Sequence, residues 1–200
     1  MQLSRQFADA FAYALDVHGG MMRQGEPYMA HLMGVTSLVL HYGGSEIEAI
    51  GALLHDAVED AGGHDRLADI KDTFGGEVAR IVEGCSDSFE TPKRPWLERK
   101  QQYVDRVPNE PASVILVSAS DKIHNVGAII EDYRTSGDAL WARFNKDAGK
   151  AGTIGYYRGL VTAYRATGHH PGVIDDLDRL VTELEALCGM QGEWPVSRRV

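Results

Sequence analysis

Four side chains able to hold a cation or move a proton fall close together in this sequence: His55, Asp56, Glu59 and Asp60. If that run is helical, His55 lies over Glu59 and Asp56 over Asp60, and all four share about 140° of arc. Three carboxylates on one sector repel one another, and buried charges persist only when paired or metal-bound. A divalent cation is the simplest counter-charge. Two more donors stand elsewhere in the chain, His31 and Asp121, the latter followed at i+3 and i+4 by His124 and Asn125. A lone His on an amphipathic helix is more often a packed boundary residue than a ligand, and an Asp can simply pair with Lys122 or a cation from another helix. Taken with His55 and Asp56, however, His31 and Asp121 complete a set of two imidazoles and two carboxylates. That mix suits Mn²⁺, Fe²⁺ or Zn²⁺, and octahedral Mn²⁺ or Fe²⁺ best where two positions stay open to water or substrate. Such an ion acidifies water and offsets charge on a phosphorus in flight. Glu59, one turn past His55, is placed to take the proton, with Asp60 able to hold the water or a neighbouring ligand. The reaction class this implies is hydrolysis of a phosphoester or pyrophosphate ester. No G-x-x-x-x-G-K-[ST] loop or nucleophilic Ser or Cys motif points to other chemistry.

Helices are the elements expected to position these groups. The central one spans Ile47 to Gly62, opening on Ser45 and Glu48 in capping-box spacing, running through Ile50, Leu53, Leu54 and Val58, and stopping at Gly62-Gly63. A first helix over residues 4–18 carries Phe7, Phe11, Ala14 and Leu15 and ends at Gly19-Gly20. A second starts with Pro27 as its first residue, carries His31, Val35, Leu38 and Val39, and ends before Gly43-Gly44. Short helices follow over Leu67–Phe74 and Val78–Cys85, then a polar stretch from Ser86 to Pro95, read as a solvated connection in which Lys93-Arg94 could alternatively reach a phosphate. Helical spacing resumes from Trp96 to Val107. The β-branched run from Ala112 to Tyr133 could be strand, but Pro111 and apolar positions at i, i+3 and i+4 favour a buried helix bearing Asp121. Helices over Ala151–Tyr164 and Ile174–Leu187 complete the pattern. No segment alternates with period two over a useful length, so the fold class is all-α: a single helical domain over residues 1–188, with residues 189–200 as an extended or loosely held tail.

Composition narrows the partners. Two hundred residues at 44% hydrophobic can bury one good core, and 29 acidic against 20 basic residues give a net charge of −9. That balance disfavours a nucleic acid polymer, whose binding depends on Lys and Arg neutralising phosphates, while leaving a small anionic nucleotide bridged by metal. No apolar run approaches the ~20 residues of a membrane span and no signal peptide opens the chain, so a soluble, cytoplasmic protein without membrane association is expected. Cys85 and Cys188 are far apart and lie outside any C-x-x-C, as expected of plain buried thiols.

Three motifs in order, R-x-G-E-P-Y-x-x-H from Arg23 to His31, L-L-H-D-A-V-E-D from Leu53 to Asp60, and S-D-K-I-H-N from Ser120 to Asn125, give the chain a family resemblance. It resembles the HD-domain metal-dependent phosphohydrolases, and among them the small alarmone (ppGpp) 3′-pyrophosphohydrolases of the Rel/Spo family, over roughly residues 5–165. The resemblance implies a helical HD fold and conversion of guanosine-3′,5′-bis(diphosphate) to GDP and pyrophosphate. It implies His31, His55, Asp56 and Asp121 as metal ligands, with Mn²⁺ the expected ion and Fe²⁺ or Zn²⁺ as alternatives. Glu59 and Asp60 match the pair that handles the attacking water. Arg23 matches a residue packing on the guanine, Tyr28 a pocket wall, Asn125 a contact to the sugar region, and Tyr156 or Tyr157 the tyrosine that closes the pocket. The chain departs from the family pattern at Gln24 for Lys in a shortened Arg23 loop, Leu32 for Pro, Lys122 for Arg and Gly155 for Trp. The readings left beside this one are an HD phosphohydrolase for another nucleotide or phosphoester, and a nucleotide-binding regulator without turnover.

Overall fold

The computed structural model describes residues 2–23, 25–89 and 92–195. Gln24 and the last five residues of the tail, for which the sequence carried expectations, lie outside that set, as do Glu90 and Thr91 within the polar stretch. The described residues are helical apart from irregular connections and a two-stranded antiparallel hairpin, β1 (Met22–Arg23) and β2 (Glu26–Pro27). None of the helices is long and apolar enough to cross a membrane.

The chain forms two compact units. The first holds residues 1–92 and 111–121, the second 93–110 and 122–200. The first contains α1 (Arg5–His18), α2 (Tyr28–His41), α3 (Glu46–Leu54), α4 (Ala57–Asp60), α5 (Gly63–Phe74) and α6 (Gly76–Cys85), together with the opening turns of α8 (Ala112–Ser136). Its core forms where Ala10 and Ala14 of α1, Met29 and Leu32 of α2, Ile50, Leu53 and Leu54 of α3, and Val78 and Val82 of α6 meet. The α1 stripe is rotated from the expected one. Ala10, Ala14 and His18 face inward at i, i+4 and i+8, Phe7 and Phe11 are only partly buried, and Leu15 is exposed. Pro27 stands at the N-cap of α2 in the hairpin rather than inside the helix, where its fixed φ and missing N–H still suit the start.

The expected central helix is two helices. The Ser45–Glu48 capping box forms and Ile50, Leu53, Leu54 and Val58 are buried, although Ile47 in the first turn faces solvent. The regular ladder ends at Leu54, and His55 and Asp56 form a turn before α4 resumes. Both residues keep right-handed backbone angles. At the break, His55 Nδ1 lies 2.8 Å from the Ala52 carbonyl, so a side chain competes for a backbone acceptor of the helix. Gly62 and Gly63 adopt positive φ, which ends α4 and turns the chain into α5, as the glycine pair predicts.

The second unit holds α7 (Trp96–Arg106) with a 3-10 turn over Val107–Asn109, the remainder of α8, a 3-10 segment over Gly137–Arg143, α9 (Gly149–Thr167) and α10 (Pro171–Cys188). Arg158 of α9 clamps α10, donating to Glu185 Oε1 and Oε2 at 3.0 and 2.6 Å, to Thr182 Oγ1 at 3.0 Å, and to Asp178. Glu185 also accepts from the Gly192 N–H at 2.8 Å, so the chain after α10 folds back rather than trailing away. Trp194 then packs edge-on to Trp96 and Tyr156 and against Gly159, where a Cβ would meet its Cγ at 2.5 Å. Cys85 in the first unit is only partly buried, Cys188 in the second is buried, and neither is in a disulfide.

Candidate metal centre

His31 comes from the first turn of α2, His55 and Asp56 from the break between α3 and α4, and Asp121 from α8, and the first unit brings all four together. Donor atoms of His31, His55 and Asp56 lie within 4.8 Å of one another. His31 Nε2 is 3.5 Å from Asp56 Oδ2 and 3.3 Å from Asp121 Oδ1; His55 Nε2 is 3.1 and 3.6 Å from the same two oxygens. Each imidazole nitrogen thus faces one oxygen of each carboxylate. Adjacent donors around an octahedral ion with bonds of about 2.1 Å stand about 3 Å apart, close to these spacings.

The electrostatics ask for a positive charge. Burial by itself would push the Asp56 carboxyl up, but His55 and His31 more than reverse this and hold it well below the usual carboxylate range. Burial also disfavours a charged His55, and Asp56 and Asp121 overcome that to raise its imidazole well above the ordinary value. The tautomer sharpens the point. A carbonyl oxygen only accepts, so His55 Nδ1 carries the hydrogen given to Ala52, and Nε2 faces two carboxylate oxygens with room for either a proton or a cation between. His55 Nε2 is fully buried and makes no hydrogen bond. Lone pair against carboxylate is repulsive unless a proton or cation lies between, and a second ring nitrogen donating to a backbone carbonyl is how metal-ligating histidines are commonly fixed. The residues present therefore fit a divalent ion.

Around these donors the other predicted residues divide. Tyr28 joins directly: its hydroxyl donates to Asp56 Oδ2 at 2.6 Å. Burial, and next the charges of Asp56 and Asp60, raise its pKa far above that of a free phenol, so it stays a donor. The Arg23 guanidinium lies over the Tyr28 ring at 5.8 Å, which brings those two together at the hairpin. Glu59 is half-buried on α4, with Oε2 3.4 Å from the Asp87 N–H. Asp60 is exposed, its Oδ2 3.5 Å from Nε2 of His18. Asn125, Tyr156 and Tyr157 belong to the second unit. There Asn125 is half-buried on α8, and Tyr156 and Tyr157 are buried on α9 with rings 5.5 Å apart and Lys100 Nζ 5.0 Å from the Tyr156 ring. Sequence reasoning missed His18. The signal available was its position four residues after Ala14, at the end of an inward-facing stripe and just before Gly19-Gly20.

Comparison with known proteins points the same way. A family profile described as HD domain matches residues 10–154. The mouse protein guanosine-3′,5′-bis(diphosphate) 3′-pyrophosphohydrolase MESH1 is 35% identical over 126 residues, covering 60% of this chain and 68% of the relative. The human protein of that name is 34% identical over 126 residues with the same coverage, and the zebrafish one 37% over 105 residues, covering 52% and 56%. Among solved structures, a metazoan ortholog of SpoT described as hydrolysing ppGpp superposes with a TM-score of 0.71 at 22% identity, covering 95% of this chain and 99% of the other, a likeness of fold. A Listeria monocytogenes protein superposes with a TM-score of 0.67 at 26% identity, covering 80% and 99%.

Proposed function

Because the chain belongs to the HD-domain family, we propose that it is a divalent-metal-dependent phosphohydrolase that converts guanosine-3′,5′-bis(diphosphate) to GDP and pyrophosphate. The observation that carries this reading is the convergence of His31, His55, Asp56 and Asp121 with His55 Nε2 aimed between two carboxylates. The substrate rests on the relatives named for that hydrolysis.

His31, His55, Asp56 and Asp121 hold the ion, Mn²⁺ by preference with Fe²⁺ or Zn²⁺ as alternatives. Bound there, a divalent ion supplies acidification of water and neutralisation of charge at the phosphorus. The remaining work belongs to the chain. Tyr28 donates to Asp56 Oδ2, which fixes the rotation of a carboxylate that would help hold the ion. Glu59 accepts a proton from the attacking water at its carboxylate, and the Asp87 N–H steadies that carboxylate. Asp60 orients the water. Arg23, a planar cation already over an aromatic ring, stacks on the guanine with Tyr28 as the neighbouring wall. We place the protein in the cytoplasm, with a small nucleotide as its partner.

The test is a substrate screen with Mn²⁺. Release of pyrophosphate from ppGpp, with GDP as coproduct, is the expected outcome. Release from other nucleotides only would keep the metal chemistry and overturn the substrate; nucleotide binding without release would make the chain a regulator.

A further inference from the structure

His18 is wholly buried, lies outside the proposed ligand set, and has a hydrogen bond at neither ring nitrogen. A buried imidazole in that state is costly, and each such group in a native structure calls for an explanation. Its surroundings supply one. The ring stacks on Tyr28 with centroids 5.0 Å apart and planes 9° from parallel. Its backbone is tied to the same residue in two steps, since Met21 N–H donates to the His18 carbonyl at 2.8 Å and Tyr28 N–H to the Met21 carbonyl at 3.0 Å. His18 is therefore held against the tyrosine that grips Asp56. At the ring edge, Asp60 Oδ2 lies 3.5 Å from Nε2, slightly long for a hydrogen bond. Asp60 itself is exposed on the four-residue α4, with no other ion pair described for it, and a carboxylate in that setting has many rotamers open to it.

We infer that His18 is a positioning residue: its Nε2–H receives the Asp60 carboxylate and fixes it for work on the attacking water, while its stacked face keeps Tyr28 on Asp56. The contact rests on the phosphohydrolase reading, in which Asp60 orients water. It adds a residue that neither ligates metal nor meets substrate, and a chain of contacts from Asp60 through His18 and Tyr28 to a ligand oxygen. The ring must supply both flatness and a donor, which explains an imidazole in a slot otherwise lined by alanines at i−4 and i−8.

Substitution separates those two duties. His18→Phe preserves a flat, buried ring without a donor, and His18→Gln preserves an N–H near the position of Nε2 without the ring. Measured on the full chain loaded with Mn²⁺, His18→Phe should lower kcat for pyrophosphate release about 10- to 100-fold, the usual cost of an outer-shell partner, with KM and Mn²⁺ occupancy near wild type. His18→Gln should recover part of that loss, and His18→Phe combined with Asp60→Asn should be no slower than Asp60→Asn alone. Losses that multiply in the double variant, or a His18→Phe variant with wild-type kcat, overturn the inference. A wild-type chain that releases no pyrophosphate from ppGpp overturns the substrate reading instead. The contact is then decided without turnover, by ring ¹⁵N spectra in which the His18 signals are identified by their loss in His18→Phe. They should move in Asp60→Asn if Nε2–H is donated to Asp60, and signals unchanged in Asp60→Asn overturn the inference.

Discussion

Alanine at position 121 would remove a carboxylate oxygen standing 3.3 Å from His31 Nε2 and 3.6 Å from His55 Nε2. If the four side chains form a metal site, Asp121→Ala should stay folded and lose Mn²⁺ affinity by more than the roughly 10- to 100-fold typical of an outer-shell partner. Isothermal titration with Mn²⁺ reads this directly, and unchanged affinity would remove Asp121 from the site. Glu59 is proposed for the chemistry instead. Glu59→Gln keeps the shape and the acceptor for Asp87 N–H but abolishes the base, so kcat should fall about 10²- to 10⁴-fold with KM little changed. Arg23→Ala should show the opposite pattern, a raised KM for guanine nucleotide with kcat closer to intact. Steady-state kinetics on the two variants separates the roles, and wild-type turnover in Glu59→Gln would move the base elsewhere. At this scale the convergence of His31, His55, Asp56 and Asp121 was legible because buried aspartates need a partner and buried imidazoles a polar neighbour. His18 was not, because one histidine at the end of an alanine stripe reads as the edge of a core until Tyr28 and Asp60 are brought to it.

Elements were legible wherever apolar spacing and a stop signal agreed, as for α1, α5, α6 and α10, each found within a few residues of its expected span. The break at His55-Asp56 was not, since the apolar period runs on through Val58 and the interruption depends on one imidazole reaching a carbonyl three residues back. The fold-back after α10 was equally hidden, because it rests on the Glu185 carboxylate turned back to the Gly192 N–H and on the bare backbone of Gly159, a residue of α9, facing Trp194. Glu185 also gives the second unit a pH dependence. Burial would raise its pKa, but the hydrogen bonds from Arg158 and the Gly192 N–H prevail and lower it below the ordinary carboxylate value. Its folded pKa thus lies below its unfolded one. The clamp contributes fully above the ordinary carboxylate range and loses that contribution as pH falls through this range toward the depressed value. Glu185→Gln should cost about 1–3 kcal/mol at neutral pH, and the gap in Tm between the variant and wild type should narrow on acidification. A gap independent of pH would show that Glu185 acts through packing alone.

For the whole molecule, the metal is expected to be part of stability as well as chemistry. Its proposed donors come from α2, the α3–α4 break and α8, and an ion that binds only the native arrangement shifts the folding equilibrium by mass action. Mn²⁺ at 100 times its Kd would add about 2.7 kcal/mol. Chelator should lower Tm and Mn²⁺ should restore it, followed by calorimetry; identical curves with and without chelator would mean the ion contributes nothing to the fold. Neither compact unit is continuous in the chain, and this interleaving sets an order of events during synthesis. Residues 93–110 leave the ribosome before 111–121, although the latter belong to the unit begun at the N-terminus. At about 5–20 residues per second, the stretch from Pro92 to Asp121 takes about 1.5–6 s to make. A nascent chain in that interval carries His31, His55 and Asp56 without Asp121, so if these four side chains hold an ion, the full donor set is available only late, timed by the order in which the chain is made.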